Sequence, residues 1–146
     1  MFAHPNRLAL AVVALAAAAI APARAEPAFP GPVRAKVIRV LDGDTFVAEA
    51  HLWPGHVLTV NVRLRGIDAP EMRARCEAER VAAEEARSAL ADVVAGRTVA
   101  ISNIAGAKYY GRVLADVATP DGELAPALLR RSVVRPYGSG RRQPWC

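Results

Sequence analysis

The feature that most constrains the fold is a stretch in which apolar and polar residues alternate strictly. Between residues 57 and 65 the sequence reads VLTVNVRLR, and the alternating apolar positions are Leu58, Val60, Val62 and Leu64. A period of two is typical of a strand with one buried face. Val57–Leu64 is therefore predicted to be a half-buried β-strand whose polar face carries Arg63.

Four more β-rich runs are separated from one another by turn signals. They are Lys36–Leu41, Thr45–Ala50, Arg97–Asn103 and Arg112–Ala118. The sequence DGD at residues 42–44 is a turn signal between the first two runs, and it predicts that they form a β-hairpin.

Between the third and fourth strands, Glu77 to Ala95 is predicted to be a helix that ends at Gly96. Its expected apolar stripe consists of Ala78, Val81, Ala82, Ala86, Leu90, Val93 and Val94. A second, short helix is predicted for Ala125–Arg131, and a short extended run for Val133 to Tyr137. Five strands with a helix after the third predict a mainly β fold with helices (α+β). The expected architecture is a small five-stranded barrel of the oligonucleotide/oligosaccharide-binding (OB) type.

The first quarter of the chain has the pattern of an export signal. The apolar run LALAVVALAAAAIA at residues 8–21 follows Arg7 and precedes the small residues Ala23 and Ala25. We predict a signal peptide at 1–25, and hence a secreted or periplasmic protein. The alternative is a retained membrane anchor, but the run rises only about 21 Å as a helix, against a hydrocarbon core of about 30 Å. The remaining predicted parts are a Pro-rich linker at 26–35, the barrel domain at 36–138 and a basic tail at 139–146.

Two cysteines and a modest positive charge remain after the signal. Because the signal carries two arginines and no acid, its removal lowers the formal net charge from +5 to +3, which favours polyanionic partners only weakly. In an oxidising compartment Cys76 and Cys146 can form a disulfide, and two free thiols are the alternative. The two cysteines cannot be combined with His51 and His56 into a zinc motif, so a zinc module is excluded.

Charged residues at the ends of predicted strands are the candidates for chemistry. Asp44 and Asp68 lie in turns that closure of the sheet can bring together, and their oxygen atoms suit Ca²⁺ or Mg²⁺ rather than zinc. Glu71 follows closely and can accept a proton from a water molecule or orient that molecule. Arg63 and Arg112 can clamp a phosphate and stabilise the charge that develops on it.

Each of these residues also has a purely structural interpretation. The sequence DGDT can be only a hairpin turn, and DAPE can be only the start of a helix with acids near its N-terminus. The two arginines can be solvated strand residues paired with surface acids. The combination of all five residues in one chain favours a catalytic site.

Three segments resemble the staphylococcal-nuclease-like (thermonuclease) family. They are VLDGDT at 40–45, VRLRGIDAPE at 62–71 and KYYGRVLA at 108–115, and the similarity extends from about Val37 to Tyr137. The resemblance implies a five-stranded OB-fold barrel with helices. It also implies a Ca²⁺-dependent endonuclease that hydrolyses phosphodiester bonds of DNA and RNA and leaves 3′-phosphate ends.

The resemblance also implies the ligands of the metal ion. Asp44 and Asp68 match the two metal carboxylates of the family. Ala69 lies where the family supplies the metal with a backbone carbonyl, which alanine retains. Glu71 matches the glutamate assigned to the attacking water molecule.

Substrate contacts are implied in the same way. Arg63 and Arg112 match the two phosphate-binding arginines. Tyr110 matches a tyrosine that contacts a terminal phosphate, and Tyr137 a tyrosine on which a base can stack. Tyr109 departs from the family pattern, because a phosphate-contacting lysine is expected there.

We expect DNA and RNA, chiefly single-stranded, as partners, a monomer, and no membrane association after signal cleavage. One alternative is a non-catalytic OB-fold module that binds nucleic acid or protein, as relatives that have lost catalytic residues do. The other is a structural envelope protein, although a scaffold has no use for an unpaired cationic groove.

Overall fold

Eight strands and two helices are present in a computed structural model of the protein, which describes residues 27–146. The predicted signal peptide at 1–25 lies outside these residues. In chain order the elements are β1 Val33–Asp42, β2 Thr45–Trp53, β3 His56–Leu64, β4 Ile67–Asp68, α1 Glu77–Val94, β5 Thr98–Gly106, β6 Arg112–Thr119, β7 Gly122–Glu123, α2 Leu124–Arg130 and β8 Arg135–Pro136. Neither helix of the described part is long and apolar enough to cross a membrane.

Five of the strands close into a barrel. β1, β2 and β3 pair antiparallel in order, β1 also pairs with β5, and β5 pairs with β6. Parallel pairing of β3 with β6 closes the sheet. The short strands β4 and β8 form a separate two-stranded sheet. The predicted five-stranded OB-type barrel with helices is therefore confirmed.

Apolar side chains of β3 point into the barrel as its alternating sequence predicts. Val60, Val62 and Leu64 are buried, whereas Leu58 is 54% exposed. The predicted burial is wrong at Leu58 because the outer end of the β2–β3 hairpin extends beyond the core, and Trp53 on the paired strand is exposed as well.

Helix α1 packs against β1, and its bounds agree with the prediction to within one residue. Its buried face is Glu79, Ala83, Ala86, Ala89, Leu90 and Val94. Ala78 and Val81 of the predicted stripe are exposed. The stripe was wrong in the first turns because Glu79, a charged residue, takes the inward position there.

The first strand begins inside the segment predicted as a linker. Val33 pairs with Ile101 of β5, and before it the backbones of Phe29 and Ile104 exchange hydrogen bonds of 2.7 and 2.8 Å. The linker prediction for residues 26–35 is therefore wrong from Val33 onward, because pairing with a distant strand orders this part of the chain.

Cys76 and Cys146 form a disulfide across a sequence separation of 70 residues, which confirms the predicted bond. In the chain-entropy model a loop of this size contributes about 4 kcal/mol to the free energy of unfolding. The bond also holds the tail (residues 139–146) against the start of α1.

Candidate active site

Asp44 is a buried acid whose carboxylate accepts hydrogen bonds from three donors. Thr45 Oγ1 and Arg63 Nη1 donate to its Oδ1 atom over 2.8 and 3.0 Å, and the Ala69 N–H donates to its Oδ2 atom over 3.0 Å. The strand register produces this arrangement, because Thr45 of β2 lies opposite Arg63 of β3. The carboxylate is thus fixed in place at the end of the barrel strands.

Gly43 allows the β1–β2 turn to lie directly against α1. A Cβ atom on Gly43 would lie 2.5 Å from Ala86 Cβ and 3.0 Å from Ala69 Cβ. Only a hydrogen atom fits at this meeting point of turn, helix and the loop that contains Ala69. The close approach holds the neighbouring Asp44 beside the Ala69 backbone.

Replacing Gly43 with alanine is expected to lower the free energy of unfolding by about 1–3 kcal/mol, because the added methyl group overpacks a contact between rigid groups. Urea unfolding followed by circular dichroism measures the change. Gly106→Ala is the matched control, because a Cβ atom on Gly106 meets nothing within 4 Å. Equal stability of the two variants would contradict the packing argument.

Arg63 joins the two candidate metal carboxylates. Its Nη1 atom lies 3.0 Å from Asp44 Oδ1, and its Nη2 atom lies 3.3 Å from Asp68 Oδ1. Asp68 is 4% exposed and belongs to β4, where it pairs with Arg135 of β8. The structure therefore brings Asp44, Asp68 and Ala69 into one cluster around the Arg63 guanidinium, called here the acidic cluster.

Glu71 lies at the rim of the acidic cluster. Its side chain is 54% exposed, and its carboxylate pairs with Arg142. Its backbone N–H donates to Oε1 of the buried Glu79 over 3.1 Å. Sequence patterns did not indicate Glu79, because a glutamate on a helix is normally solvated. Its role is to hold the backbone of Glu71.

Arg112 shares a face of the sheet with Arg63. In the parallel β3–β6 pair, Asn61 lies opposite Arg112, and residues two apart on a strand point to the same side. Within residues 27–146 the buried Nε atom of Arg112 has no hydrogen-bond partner. An unsatisfied buried donor is costly, so this guanidinium has unused capacity for an anionic ligand.

The two predicted substrate-binding tyrosines lie outside the acidic cluster. The side chain of Tyr110 is fully exposed, and the hydroxyl group of Tyr137 donates to the Gly140 carbonyl oxygen over 2.9 Å. The ring beside Arg112 belongs to Tyr109, whose centroid lies 5.3 Å from the guanidinium carbon. The roles of Tyr110 and Tyr137 stay predictions, and Tyr109 is an additional candidate for substrate contact.

Arg142 of the tail contacts three of the predicted functional groups. Its Nε atom lies 2.7 Å from Asp68 Oδ1, its Nη2 atom donates to the Ala69 carbonyl oxygen over 3.0 Å, and its Nη1 atom pairs with Glu71. Arg142 was not among the residues that the sequence motifs indicated. The possible Cys76–Cys146 bond was the signal that could have found it, because that bond holds the tail beside Glu71.

Burial raises the pKa of Asp44 to about 7, while the positive charge of Arg63 acts in the opposite direction. The charge of Asp42 and its hydrogen bond with Asp44 add to the rise. The raised pKa means that this carboxyl group keeps its proton to a higher pH than an ordinary aspartate does. An added cation would favour its charged form.

The donor atoms of the acidic cluster fit a hard divalent cation. Asp44, Asp68 and the Ala69 carbonyl group offer only oxygen atoms, which Ca²⁺ and Mg²⁺ prefer. In the described part of the chain, one group of three side chains of the types that bind metals has its ligand atoms within 4.8 Å of one another. This group is Cys76, Glu79 and Cys146. It is unsuitable, because disulfide sulfur atoms are not thiolates.

Two cavities of about 430 Å³ each flank the acidic cluster. Glu71, Arg73 and Arg75 are part of the lining of one, and Asp68 and Arg135 are part of the lining of the other. Arginines beside an acidic cluster suit a polyanionic substrate that approaches a bound cation.

Comparison with known proteins agrees with this geometry. A family model described as staphylococcal nuclease homologue matches residues 61–141, which is more than half of the chain. The matched range includes Arg63, Asp68, Glu71 and Arg112 and begins after Asp44. The search of curated proteins finds no match.

Proposed function

The chain belongs to the family of staphylococcal nuclease homologues, which are metal-dependent nucleases in general, and we propose that it is an exported, Ca²⁺-dependent endonuclease. Its substrates are single-stranded DNA and RNA, and its products carry 3′-phosphate ends. The observation that supports the proposal is the buried acidic cluster, in which Arg63 bridges Asp44 and Asp68.

The proposed metal ligands are Asp44, Asp68 and the carbonyl oxygen of Ala69. A bound Ca²⁺ ion would supply positive charge that offsets the charge on one phosphate oxygen. The buried carboxyl group of Asp44, with its raised pKa, supports this assignment, because a cation beside it removes the cost of burying a negative charge.

Hydrolysis uses the remaining charged side chains. Glu71 accepts a proton from the attacking water molecule, whose oxygen forms a bond to phosphorus. Arg63 and Arg112 donate hydrogen bonds to the phosphoryl oxygens as negative charge builds on them. The bond from phosphorus to the 5′-oxygen breaks, and that oxygen takes up a proton from solvent. The products are a 3′-phosphate and a 5′-hydroxyl group.

The preference for single strands rests on the surface around the acidic cluster. The flanking cavities are lined in part by arginines that can follow a phosphate backbone. Tyr109 and Tyr110 are exposed and offer ring faces on which unpaired bases can stack. A duplex keeps its bases stacked inside, where these rings cannot reach them.

The direct test uses purified protein comprising residues 26–146 and 5′-labelled oligonucleotides of single-stranded DNA, duplex DNA and RNA. The expected result is cleavage of both single strands in Ca²⁺, with products whose mobility changes after phosphatase treatment removes a 3′-phosphate. Products with 3′-hydroxyl ends would contradict the proposed bond cleavage. Binding without cleavage in Ca²⁺, Mg²⁺ and Mn²⁺ would favour the non-catalytic module.

The proposed export has its own test. N-terminal sequencing of the protein recovered outside the cytoplasm is expected to start at Glu26, directly after Ala25. A start at Met1 would contradict cleavage of the signal peptide.

The affinity for Ca²⁺ is expected to fall about tenfold for each pH unit below about 7, and to be nearly constant above about pH 8. The reason is that Asp44, whose pKa burial raises to about 7, must lose its proton before it binds the ion. Isothermal titration calorimetry at about pH 6, 7 and 8 measures this dependence. The exposed acid Asp92 of α1 provides a control variant, Asp92→Asn, that is expected to keep it. Equal affinity at the lowest and highest pH would contradict the prediction.

A further inference from the structure

The tail brings a positive charge onto the proposed metal ligands. Arg142 binds Asp68 Oδ1 and the Ala69 carbonyl oxygen over 2.7 and 3.0 Å, and these two residues supply two of the three proposed ligands. The same guanidinium pairs with Glu71, the proposed proton acceptor. The Arg142 side chain therefore binds oxygen atoms that a divalent cation and a water molecule would otherwise contact.

Two further contacts hold the tail in this position. The Trp145 ring lies on the Arg135 guanidinium, with its centroid 3.7 Å from the guanidinium carbon. The Trp145 indole N–H donates to Asp68 Oδ2 over 3.4 Å, so both oxygen atoms of Asp68 have partners from the tail. The tail thus binds the acidic cluster through more than a single exposed ion pair.

The Cys76–Cys146 disulfide keeps the end of the tail close to the acidic cluster. Only Gln143, Pro144 and Trp145 separate Arg142 from the bonded Cys146. A tether this short gives the guanidinium an effective concentration of at least about the millimolar range at the cluster. Arg142 can therefore compete with a cation even though its side chain is 40% exposed.

We propose that the docked tail and a divalent cation exclude each other at the acidic cluster, with the Arg142 guanidinium as an internal competitor for the Asp68 and Ala69 oxygen atoms. The cation gains its ligands, and Glu71 becomes free to act on water, only when the guanidinium leaves. The inference rests on the proposed function, because the displacing cation is the metal ion of that function.

The test is calorimetric titration of Ca²⁺ into wild-type protein, Arg142→Gln and Arg141→Gln. Arg141 is the matched control, because it is the adjacent arginine of the same tail and is exposed. Arg142→Gln is expected to bind Ca²⁺ at least about tenfold more tightly than wild type, because the fraction of molecules with an open site rises. Arg141→Gln is expected to stay within about twofold of wild type.

The possible results separate the two proposals. Equal or weaker Ca²⁺ binding by Arg142→Gln than by wild type would overturn competition by the tail and leave the metal-dependent function standing. Absence of Ca²⁺ binding in all three proteins would overturn both. Tighter binding by both variants would assign the effect to overall tail charge and overturn the specific role of Arg142.

A second measurement follows the tail itself. The chain has two tryptophans, so Trp53→Phe leaves Trp145 as the sole tryptophan fluorophore. Its emission is expected to shift to longer wavelength as Ca²⁺ is added, over the concentration range in which calorimetry detects binding. Unchanged emission in a protein that binds Ca²⁺ would overturn the proposal, because the tail would then have stayed in place.

Discussion

Arg112→Ala is expected to lower kcat for cleavage of single-stranded DNA by about three orders of magnitude or more while the fold survives. Arginines that stabilise charge on a transferring phosphoryl group contribute effects of this size. The fold is expected to survive because the buried Nε atom of Arg112 has no hydrogen-bond partner within residues 27–146. Removal of this atom therefore breaks no hydrogen bond there. Single-turnover cleavage assays, with circular dichroism for the fold, measure both quantities.

Two further variants serve as controls for Arg112→Ala. Arg112→Lys keeps the charge but loses the planar fork, so it is expected to recover only part of the lost rate. Arg39→Ala removes an exposed arginine from β1 and is expected to retain nearly full activity. Turnover by Arg112→Ala within about tenfold of wild type would contradict a catalytic role.

Glu71→Gln is expected to lower kcat by about two to four orders of magnitude, the usual contribution of a general base. The amide is nearly isosteric with the acid but cannot accept the proton of the attacking water molecule. Because Glu71 is not one of the proposed ligands, binding of Ca²⁺ is not expected to weaken. Loss of the pair with Arg142 is expected to strengthen it slightly.

Comparison of kcat with Ca²⁺ affinity distinguishes a proton acceptor from a metal ligand at Glu71. The exposed Glu85 of α1 provides the matched control, and Glu85→Gln is expected to behave as wild type in both measurements. Loss of Ca²⁺ affinity in Glu71→Gln, in parallel with the rate, would reassign Glu71 as a metal ligand. An unchanged rate would remove it from the mechanism.

Sequence patterns were sufficient where an element forms from residues close together in the chain. Helix α1 runs from Glu77 to Val94 beside Gly96, in agreement with the prediction to within one residue. The DGD turn joins β1 to β2 as predicted, and Arg63 lies on the polar face of β3. Periodicity and turn chemistry are local properties, and they are therefore readable from the sequence.

Features that depend on contacts between distant parts of the chain could not be predicted from such patterns. Val33 belongs to β1 because Ile101 pairs with it. Glu79 lies on the buried face of α1, where it accepts the backbone N–H of Glu71. Arg142 reaches the acidic cluster through a tail whose disulfide spans 70 positions of the sequence. The turns and the family resemblance both indicated Asp44 and Asp68 as candidate metal ligands, and the resemblance added Ala69. The contact of Arg142 with Asp68 and Ala69 required the structure.

Asp44 and Asp68, bridged by Arg63, are proposed to provide a divalent-cation site, and phosphodiester cleavage is expected to depend on this site. This dependence is tested most directly by the cleavage rate of single-stranded DNA as a function of free Ca²⁺ concentration, for wild type and Asp44→Asn side by side. We expect a saturable rise in rate for wild type, no cleavage in excess chelator and no detectable cleavage by Asp44→Asn at any Ca²⁺ concentration. Cleavage that persists in chelator, or an Asp44→Asn protein as active as wild type, would contradict the account.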